Sequence, residues 1–532
     1  MKKIMKRHSF TARLKSLAVV FSIALAFASC ANEDVVQNPT NPDEDNANLT
    51  TFVAGDETKT RTSLDYNNSD FYWEAGDYIY VKDDDGVLRK STNAPTGKVA
   101  AFKYKVPGKF TASTSYKVYY LGKNSYGSQV TISTAQTQTK PDNTEHFGTA
   151  GDYGTATATK VTGKQQFAFE LEHQPAYLVF QPYTSNTILH NCYLTGVEVT
   201  SDNDIAETYT VNLTTGNLDA SAVTGGKKIV LTTSGSSSNP NGFPLSNSSA
   251  SVTTNGAYMV IKPGTHTLKI RYWVKDNATG TEGTITKTLP STAYASNTYY
   301  DMTANLDVKN YDGDKYYMWD AQEQYWKGHE WNLGGSQPTL TTQSASSDYP
   351  QNSSDTNNRW YNESFPGYGV SNPATHTSCK DLPNANEMSW YCMYGDPRWD
   401  RDELWTTMGH LYKGGMWFKK KSVLLAVGNY NTEKSADGTT DLRTTYKYYN
   451  NTNSSINSGL PSAADANKYF YLPALGYYYS GRLYGVGGYG NYWSSSANPW
   501  SSNNAYGLIF YSGHVDMYYS GRDDGFRSEA LQ

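Results

Sequence analysis

A mainly β chain with a C-terminal α+β domain is predicted by three observations. The 532 residues include 45 Tyr and 44 Gly at a mean hydropathy of -0.64, a polar, turn-rich composition whose aromatic content is too high for disorder. From Thr50 to about Val308, apolar residues recur in short runs separated by Gly, Asn and Asp clusters, the pattern of strands at sandwich spacing. Helix-start signatures are confined to the second half. The length exceeds what one core usually serves, so two or three domains are expected. A net charge of -5, from 45 basic and 50 acidic side chains, gives no electrostatic case for nucleic acid.

The N-terminus sets the compartment. Lys2, Lys3, Lys6, Arg7, Arg13 and Lys15 precede a short apolar run, Leu17 to Phe27, that ends in Ala28-Ser29-Cys30. Residues 1–29 therefore read as a signal peptide, too short for a lasting membrane span. Cys30 directly after Ala-Ser resembles a bacterial lipobox, which implies lipidation of that thiol; an ordinary signal peptide cut elsewhere is the alternative. Residues 30–49, rich in Asn, Asp, Glu and Pro, read as a flexible tether. The Glu33-Asp34 pair resembles the surface-export signals of Bacteroidetes lipoproteins.

Strands are expected at Phe71 to Glu74, Tyr78 to Val81, Tyr116 to Leu121, Gln166 to Leu171, Ala176 to Gln181, Tyr193 to Thr200, Thr208 to Leu213, Lys228 to Thr232, Tyr258 to Ile261 and Thr267 to Val274. The run Asp83-Asp84-Asp85-Gly86 lacks the alternating ligands and closing Glu of a calcium loop and reads as a solvated hairpin turn. KTRTSLD at Lys59 to Asp65, FYWEAGDYIYV at Phe71 to Val81, STAQTQT at Ser133 to Thr139, FELEHQPAYLVF at Phe169 to Phe180 and YYDMTANL at Tyr299 to Leu306, in that order, resemble a fimbrillin-family protein of Bacteroidetes. The resemblance implies two transthyretin-like β-sandwich domains, residues 50–186 and 187–308, delivered to the outer membrane as a lipoprotein and joined to other pilus subunits by donor-strand exchange. It also implies proteolysis after an N-terminal Arg. Arg61 stands in that place, although a structural role in a strand-forming TRT is favoured, since exposed loops are the preferred sites of nicking. The chain departs from stalk subunits after Leu306, where a domain of more than two hundred residues replaces a terminal donor strand. That arrangement suits a pilus-tip subunit, which only receives a strand.

Residues 309–532 begin with a polar joint and dense aromatics. Asn384 with Glu387 predicts a capped helix over Glu387 to Tyr394, and Asp400 with Glu403 predicts another over Glu403 to Lys413. The cluster Asp396, Asp400, Asp402 and Glu403 is explained by helix starts more simply than by a cation. Met416 to Phe418 and Val423 to Val427 read as strands, and Gln337 to Asn358 and Asn429 to Gly459 as low-complexity loops. Cys192 reads as a buried small apolar residue in a strand. Cys379 and Cys392 are either bonded to each other or two unpaired thiols, and no zinc spacing surrounds them.

The final stretch carries the functional expectation. Leu508, Phe510, Val515 and Met517 alternate with Gly507, Ile509, Tyr511, His514, Asp516 and Tyr518 across a Ser512-Gly513 turn, predicting a hairpin with one packed face. The other face holds Tyr, Asp, His, Ser and Gly, residue types that give rigid amphipathic area and adaptable hydrogen bonding. SCKDLPNANEMSWY at Ser378 to Tyr391, LPALGYYYSG at Leu472 to Gly481, NYWSSSA at Asn491 to Ala497, AYGLIFYSGHV at Ala505 to Val515 and GFRSEALQ at Gly525 to Gln532 resemble the C-type-lectin-like domain of variable proteins diversified by retroelements. Formylglycine-generating enzymes share that scaffold. The resemblance implies adenine-directed mutation of AAC-type codons within about 477–524. Tyr479, Tyr484, Tyr489, Gly507, Ile509, Tyr511, His514, Asp516, Tyr518, Tyr519, Ser520, Asp523 and Asp524 belong to the permitted set, whereas Trp493, Leu508, Phe510, Val515, Met517 and Phe526 belong to an unvaried frame.

Chemistry finds little footing. GVGGYG at Gly485 to Gly490 is followed by Tyr492-Trp493-Ser494, not by a helix start, so a dinucleotide site is not expected. Ser512, His514 and Asp516 lie along one hairpin and form no triad. The expectation is a non-enzymatic surface adhesin at a pilus tip, without cofactor or metal, binding a protein or glycan receptor. A fixed carbohydrate-binding lipoprotein is the alternative, and an enzyme on the shared scaffold ranks below it.

Overall fold

A computed structural model describes residues 7–9, 49–55, 63–66, 70–212, 218–219, 226–277, 280–342, 344–452 and 456–532. Cys30 and Arg61 lie outside the described residues. Strands dominate, and the described helices are short.

The first unit is an eight-stranded sheet whose apolar side chains gather around Trp73, which meets Tyr104, Tyr120 and Phe169 edge-on. Leu49–Ala54 runs inside this sheet, parallel to Gln166–Phe169 and antiparallel to Phe102–Pro107, and buries Phe52 and Ala54 completely. The aspartate run is the expected hairpin turn, exposed at Asp85 and Gly86 and pinned by hydrogen bonds at its start. Buried Asp83 accepts from the amides of Asp85 and Val87 and from Arg89 Nε, while Asp84 accepts from Thr111 and Tyr116.

The second unit packs two sheets face to face. Ala176–Tyr183 lies between Ala257–Ile261 and Thr298–Asn305, and its apolar face meets Val197, Val199, Ile270 and Tyr272 of the facing strands. Ala176–Tyr183 precedes the expected boundary at 186/187 yet packs in this second core, because eight consecutive residues with seven buried need cover on both faces. The two edges of its sheet are closed differently. On Ala257–Ile261, the side-chain amides of buried Gln136 and Gln138 stand in for a strand: Gln136 bonds the carbonyl and amide of Val260, and Gln138 bonds the carbonyl of Gly256 and the amide of Tyr258. On Thr298–Asn305, Arg7–Ser9 lies antiparallel against Thr298, Tyr299 and Tyr300.

The third unit is joined to the second by a continuous ten-stranded sheet, in which Glu282–Thr288 meets Arg398–Thr407 at Thr284 and Glu403. Arg398–Thr407 pairs with His410–Lys419 about a Met408-Gly409 turn, so the helix expected over Glu403 to Lys413 is a β-hairpin. Its acidic residues serve another partner. Arg271, from the second unit, reaches both oxygens of Asp400 at 3.0 Å and lies 3.9 Å from Glu403, which also accepts from the amide and hydroxyl of Thr286. An arginine from across the sheet therefore accounts for Asp400 and Glu403 better than helix caps do. Val423 to Val427, expected as a strand, falls in the helix Lys421–Ala426 and the turn after it. The helix Ala385–Tyr394 has the anticipated Asn384/Glu387 capping box, with both reciprocal bonds. Cys379 and Cys392 are separate buried thiols, which removes the disulfide alternative; Cys192 is likewise free and buried in Cys192–Ser201.

Candidate functional site

Local geometry around the C-terminal hairpin begins with its inward residues. Asn504–Tyr511 pairs antiparallel with His514–Gly521 across Ser512-Gly513, with Tyr511 opposite His514 and Ile509 opposite Asp516. Leu508, Phe510, Val515 and Met517 are fully buried and pack with Met388 and Tyr391 of the capped helix and with Met416, Phe418 and Phe470 of the neighbouring strands. The hairpin is flanked by Tyr489–Ala497 on one side and Tyr449–Thr452 on the other, so neither long edge is open along its centre. Trp493 stacks on Phe526 at 4.3 Å and donates from Nε1 to the carbonyl of Tyr317. Two buried arginines clamp the ends. Arg522 lies over Trp319 and donates to the carbonyls of Asn504, Asn362 and Ser364. Arg527 lies over Tyr316 and pairs with Glu529.

Outward residues form two aromatic groups on this frame. In the first, Tyr489 lies 5.1 Å from Tyr511, and Tyr511 stacks on His514 at 4.7 Å with 12° between the rings. His514 Nε2 is 2.7 Å from Asp516 Oδ2, an interaction along one strand with Ser512 in the adjoining turn. In the second, Tyr518 stacks on Tyr519 at 4.4 Å, Tyr519 meets Tyr446 at 5.7 Å, and Tyr518 meets Tyr448 at 5.5 Å. The hydroxyl of Tyr518 is pushed up to about 12, first by its bond with Tyr519 and then by burial. Tyr479 and Tyr484 stand on a separate small hairpin, Tyr477–Tyr479 with Arg482–Tyr484, where Tyr479 is 53% exposed.

The thirteen singled-out positions are not equivalent. Ile509, Tyr511, His514, Asp516, Tyr518, Tyr519 and Ser520 are half-buried, Asp523 is exposed, and Tyr479, Tyr484 and Tyr489 project into solvent. Gly507 is buried: a Cβ there would stand 2.8 Å from the carbonyl oxygen of Tyr492 and 3.6 Å from the Phe526 ring. Asp524 is half-buried, and its carboxyl is pushed up to about 7 by burial and then by neighbouring Asp523. Tyr446 and Tyr448 escaped sequence reasoning because they sit in a stretch taken as a low-complexity loop. The signal was the local density TYKYYN, in which Tyr449 to Thr452 is a strand on the hairpin edge. Tyr368 and Trp500, both largely exposed and 6.1 Å apart, were also unmarked.

Nucleophilic chemistry has weak material here. Burial pushes the thiols of Cys379 and Cys392 up to about 12, leaving negligible thiolate near neutrality. Among the described residues, no group of three or more His, Cys, Asp or Glu side chains is arranged to hold a metal ion.

No family model matches the chain, and no curated protein matches it. Solved structures do. A putative cell adhesion protein of Bacteroides ovatus aligns over 49% of this chain and 93% of its own at 16% identity and a TM-score of 0.30. A putative cell adhesion protein of Bacteroides uniformis aligns over 49% and 94% at 18% identity and a TM-score of 0.29. The fimbrial anchor protein of Porphyromonas gingivalis aligns over 45% and 82% at 14% identity and a TM-score of 0.21. Overlaps this weak leave both fold and function to be argued from the chain's own residues.

Proposed function

We propose that this chain is a cell-surface adhesin, a pilus-tip subunit delivered to the outer membrane as a lipoprotein, whose C-terminal lectin-like domain binds a protein or glycan receptor through a diversified face. One observation carries the reading: along a single hairpin, Leu508, Phe510, Val515 and Met517 are completely buried, whereas Tyr511, His514 and Asp516 between them are only half-buried and reach the surface. Exchange at the second set leaves the packing of the first untouched, which is what a surface needs if its specificity is to change without refolding. Paired tyrosine rings supply large contact area with few torsions to freeze, and the His514–Asp516 pair adds a polar element.

Assembly into a pilus by strand exchange draws support from the second unit. One edge of its small sheet is closed by Gln136 and Gln138, but the other is met by Arg7–Ser9, within the segment read as a leader. Removal of that leader leaves Thr298–Asn305 with room for an incoming strand, and an unpaired edge is a ready template for one. Lipidation at Cys30 and cleavage at Arg61 belong to the same proposal.

Sequencing the last two hundred bases of this gene across isolates tests diversification. Substitutions should fall on the outward set and on adenine positions of a nearby template copy. Identical outward residues in all isolates, or substitutions spread equally over Leu508, Phe510, Val515 and Met517, would reject it in favour of a fixed binding surface. In the protein, replacing Tyr511, Tyr518 and Tyr519 together by Ser should abolish receptor capture and leave thermal unfolding nearly unchanged.

A further inference from the structure

A cleft of ≈ 240 Å³ lies beside the hairpin and is lined by none of the thirteen positions above. Its floor is rigid. Asp320, fully buried with a left-handed backbone (φ 52), accepts from the amides of Thr375 and His376 and from the side chain of Asn362. Asp355 is engaged by Arg359 through Nε and Nη2, and Arg359 Nη1 donates to the carbonyl of Asp348. Trp360 and Tyr361 form an aromatic wall with centroids 4.7 Å apart and 35° between the planes. Arg522 Nη1, at the end of the hairpin, donates to the carbonyl of Asn362 at 2.8 Å, which places the cleft against that end.

The groups left over have a definite chemistry. His376 Nδ1 is 2.8 Å from the carbonyl oxygen of Asp320, so in the neutral ring Nδ1 carries the proton and Nε2 is an acceptor. Trp360 Nε1 donates to Glu363 Oε1, which leaves Oε2 as a second acceptor. The amides of Gln322 and Asn358 have no partner among the described residues and offer both donors and acceptors. Arg359, behind the cleft, is consumed by Asp355 and backbone carbonyls, and among the described residues the lining itself holds the carboxyl groups of Asp320, Asp355 and Glu363 and no Lys or Arg, which disfavours an anion. A volume below the ~300–1,000 Å³ of drug-sized pockets suits one small ring.

We propose that this cleft binds a single neutral pyranose residue, its apolar face on Trp360 and Tyr361 and its hydroxyls bonded to His376 Nε2, Glu363 Oε2 and the amides of Gln322 and Asn358. A sugar seated in this open cleft needs apolar contact for its ring C–H face and donors and acceptors for its hydroxyls, and these residues, of which Gln322, Asn358 and Glu363 are exposed at the rim, provide both. The site is separate from the diversified face and stands whether or not that face varies.

Saturation-transfer NMR on the leaderless chain, with methyl glycosides of glucose, galactose, mannose and N-acetylglucosamine as probes and sulfate as a charged control, tests this. Transfer to ring C–H protons of at least one glycoside is expected, weakened at least ~10-fold by the exposed-site variant Glu363→Ala and by His376→Ala. Tyr511→Ser/Tyr518→Ser/Tyr519→Ser should change it by less than about twofold, and Trp360→Ala should abolish it in protein shown to be folded by near-ultraviolet circular dichroism. Absence of transfer from all four glycosides, transfer unaltered in Glu363→Ala and His376→Ala, or loss only in the triple tyrosine variant would overturn the inference. The last outcome would place the sugar on the hairpin face and leave the adhesin reading intact.

Discussion

Replacing Arg271 by Ala should loosen the joint between the second and third units, and the size of the effect should depend on pH. Its guanidinium is nearly buried, donates to both oxygens of Asp400 and to Thr284, and stands 3.9 Å from Glu403. Deleting one member of such a buried pair strands the other, at about 3–5 kcal/mol. Here two carboxylates lose their cation, although Glu403 keeps its bonds from Thr286 and Asp400 keeps those from Trp417 Nε1 and the Asp402 amide. Glu403 is already pushed up to about 7 by burial and by Asp400, with Arg271 pulling the other way, so removing Arg271 raises it further. A carboxyl whose folded pKa lies above its unfolded value contributes stability when protonated and loses it as pH rises through the folded pKa. At pH 5 the variant keeps Glu403 neutral; at pH 8 it must hold that carboxylate without Arg271 or keep it protonated against the pH. At ~1.4 kcal/mol per unit of pKa, and with Glu403 already near 7 in the intact protein, the penalty should grow by at most about 1.4 kcal/mol between these pH values. Scanning calorimetry of the leaderless chain, with its transitions resolved because a multi-unit chain is not two-state, measures this. Arg271→Lys, which keeps the charge without the fork, should fall between wild type and Arg271→Ala. A cost below ~1 kcal/mol at pH 8, or one independent of pH, would refute the argument that this triad couples the two units.

Three further perturbations separate frame from face. Phe510→Ala or Trp493→Ala removes a fully buried ring and should cost roughly 3–5 kcal/mol in urea or thermal unfolding of the C-terminal unit, the reverse of the outward tyrosine variants. Gly507→Val should be destabilising by about 1–3 kcal/mol, because its Cβ would stand 2.8 Å from the Tyr492 carbonyl; a neutral effect on melting temperature would show that Gly507 is as free as its outward neighbours. Asp524→Asn should raise the melting temperature at pH 8 and change little at pH 4, since Asp524, pushed up to about 7, penalises the folded state only as it ionises; equal shifts at both pH values would contradict its assignment as the buried, crowded carboxyl of the pair.

The parts of the fold written in local pattern were legible in the sequence. Alternation over Gly507 to Tyr518 gave the hairpin and the buried set, because side-chain direction in a strand has period two and the turn pair Ser512-Gly513 fixes register. Asn384 and Glu387 announced their helix because a capping box is satisfied within four residues. The same pattern misled at Asp400 and Glu403, where the partner is Arg271, 129 positions away from Asp400, and nothing local distinguishes an acid that caps a helix from one that awaits an arginine in another unit. Trp405, Thr406 and Thr407, with their aromatic and β-branched side chains, were the better guide. Val423 to Val427 shows the opposite failure, since a short apolar run fits strand or helix equally until its neighbours are known. Tyr446 and Tyr448 could be recognised as surface partners of Tyr519 and Tyr518 only once Tyr449–Thr452 was seen to pair with the hairpin.

The two halves of the chain meet through polar groups as well as through Leu404 and Leu411, which join the second unit's apolar core, and that bears on how the joint would carry load. Between Glu282–Thr288 and Arg398–Thr407 the ladder contributes one bridge, Thr284 to Glu403. Arg271 on Asp400, Thr286 on Glu403, Lys413 Nζ on the carbonyl of Glu282 and Lys269 Nζ on the carbonyl of Pro461 add directional polar ties to that packing. Directional bonds of this kind fix the angle between the units more strictly than an apolar contact could, because a small rotation breaks them while apolar surfaces can slide. Burial of the triad keeps those bonds from being exchanged for water. The hairpin face proposed as the receptor site then keeps one orientation relative to the second unit, and its aromatic groups share no residue with the joint.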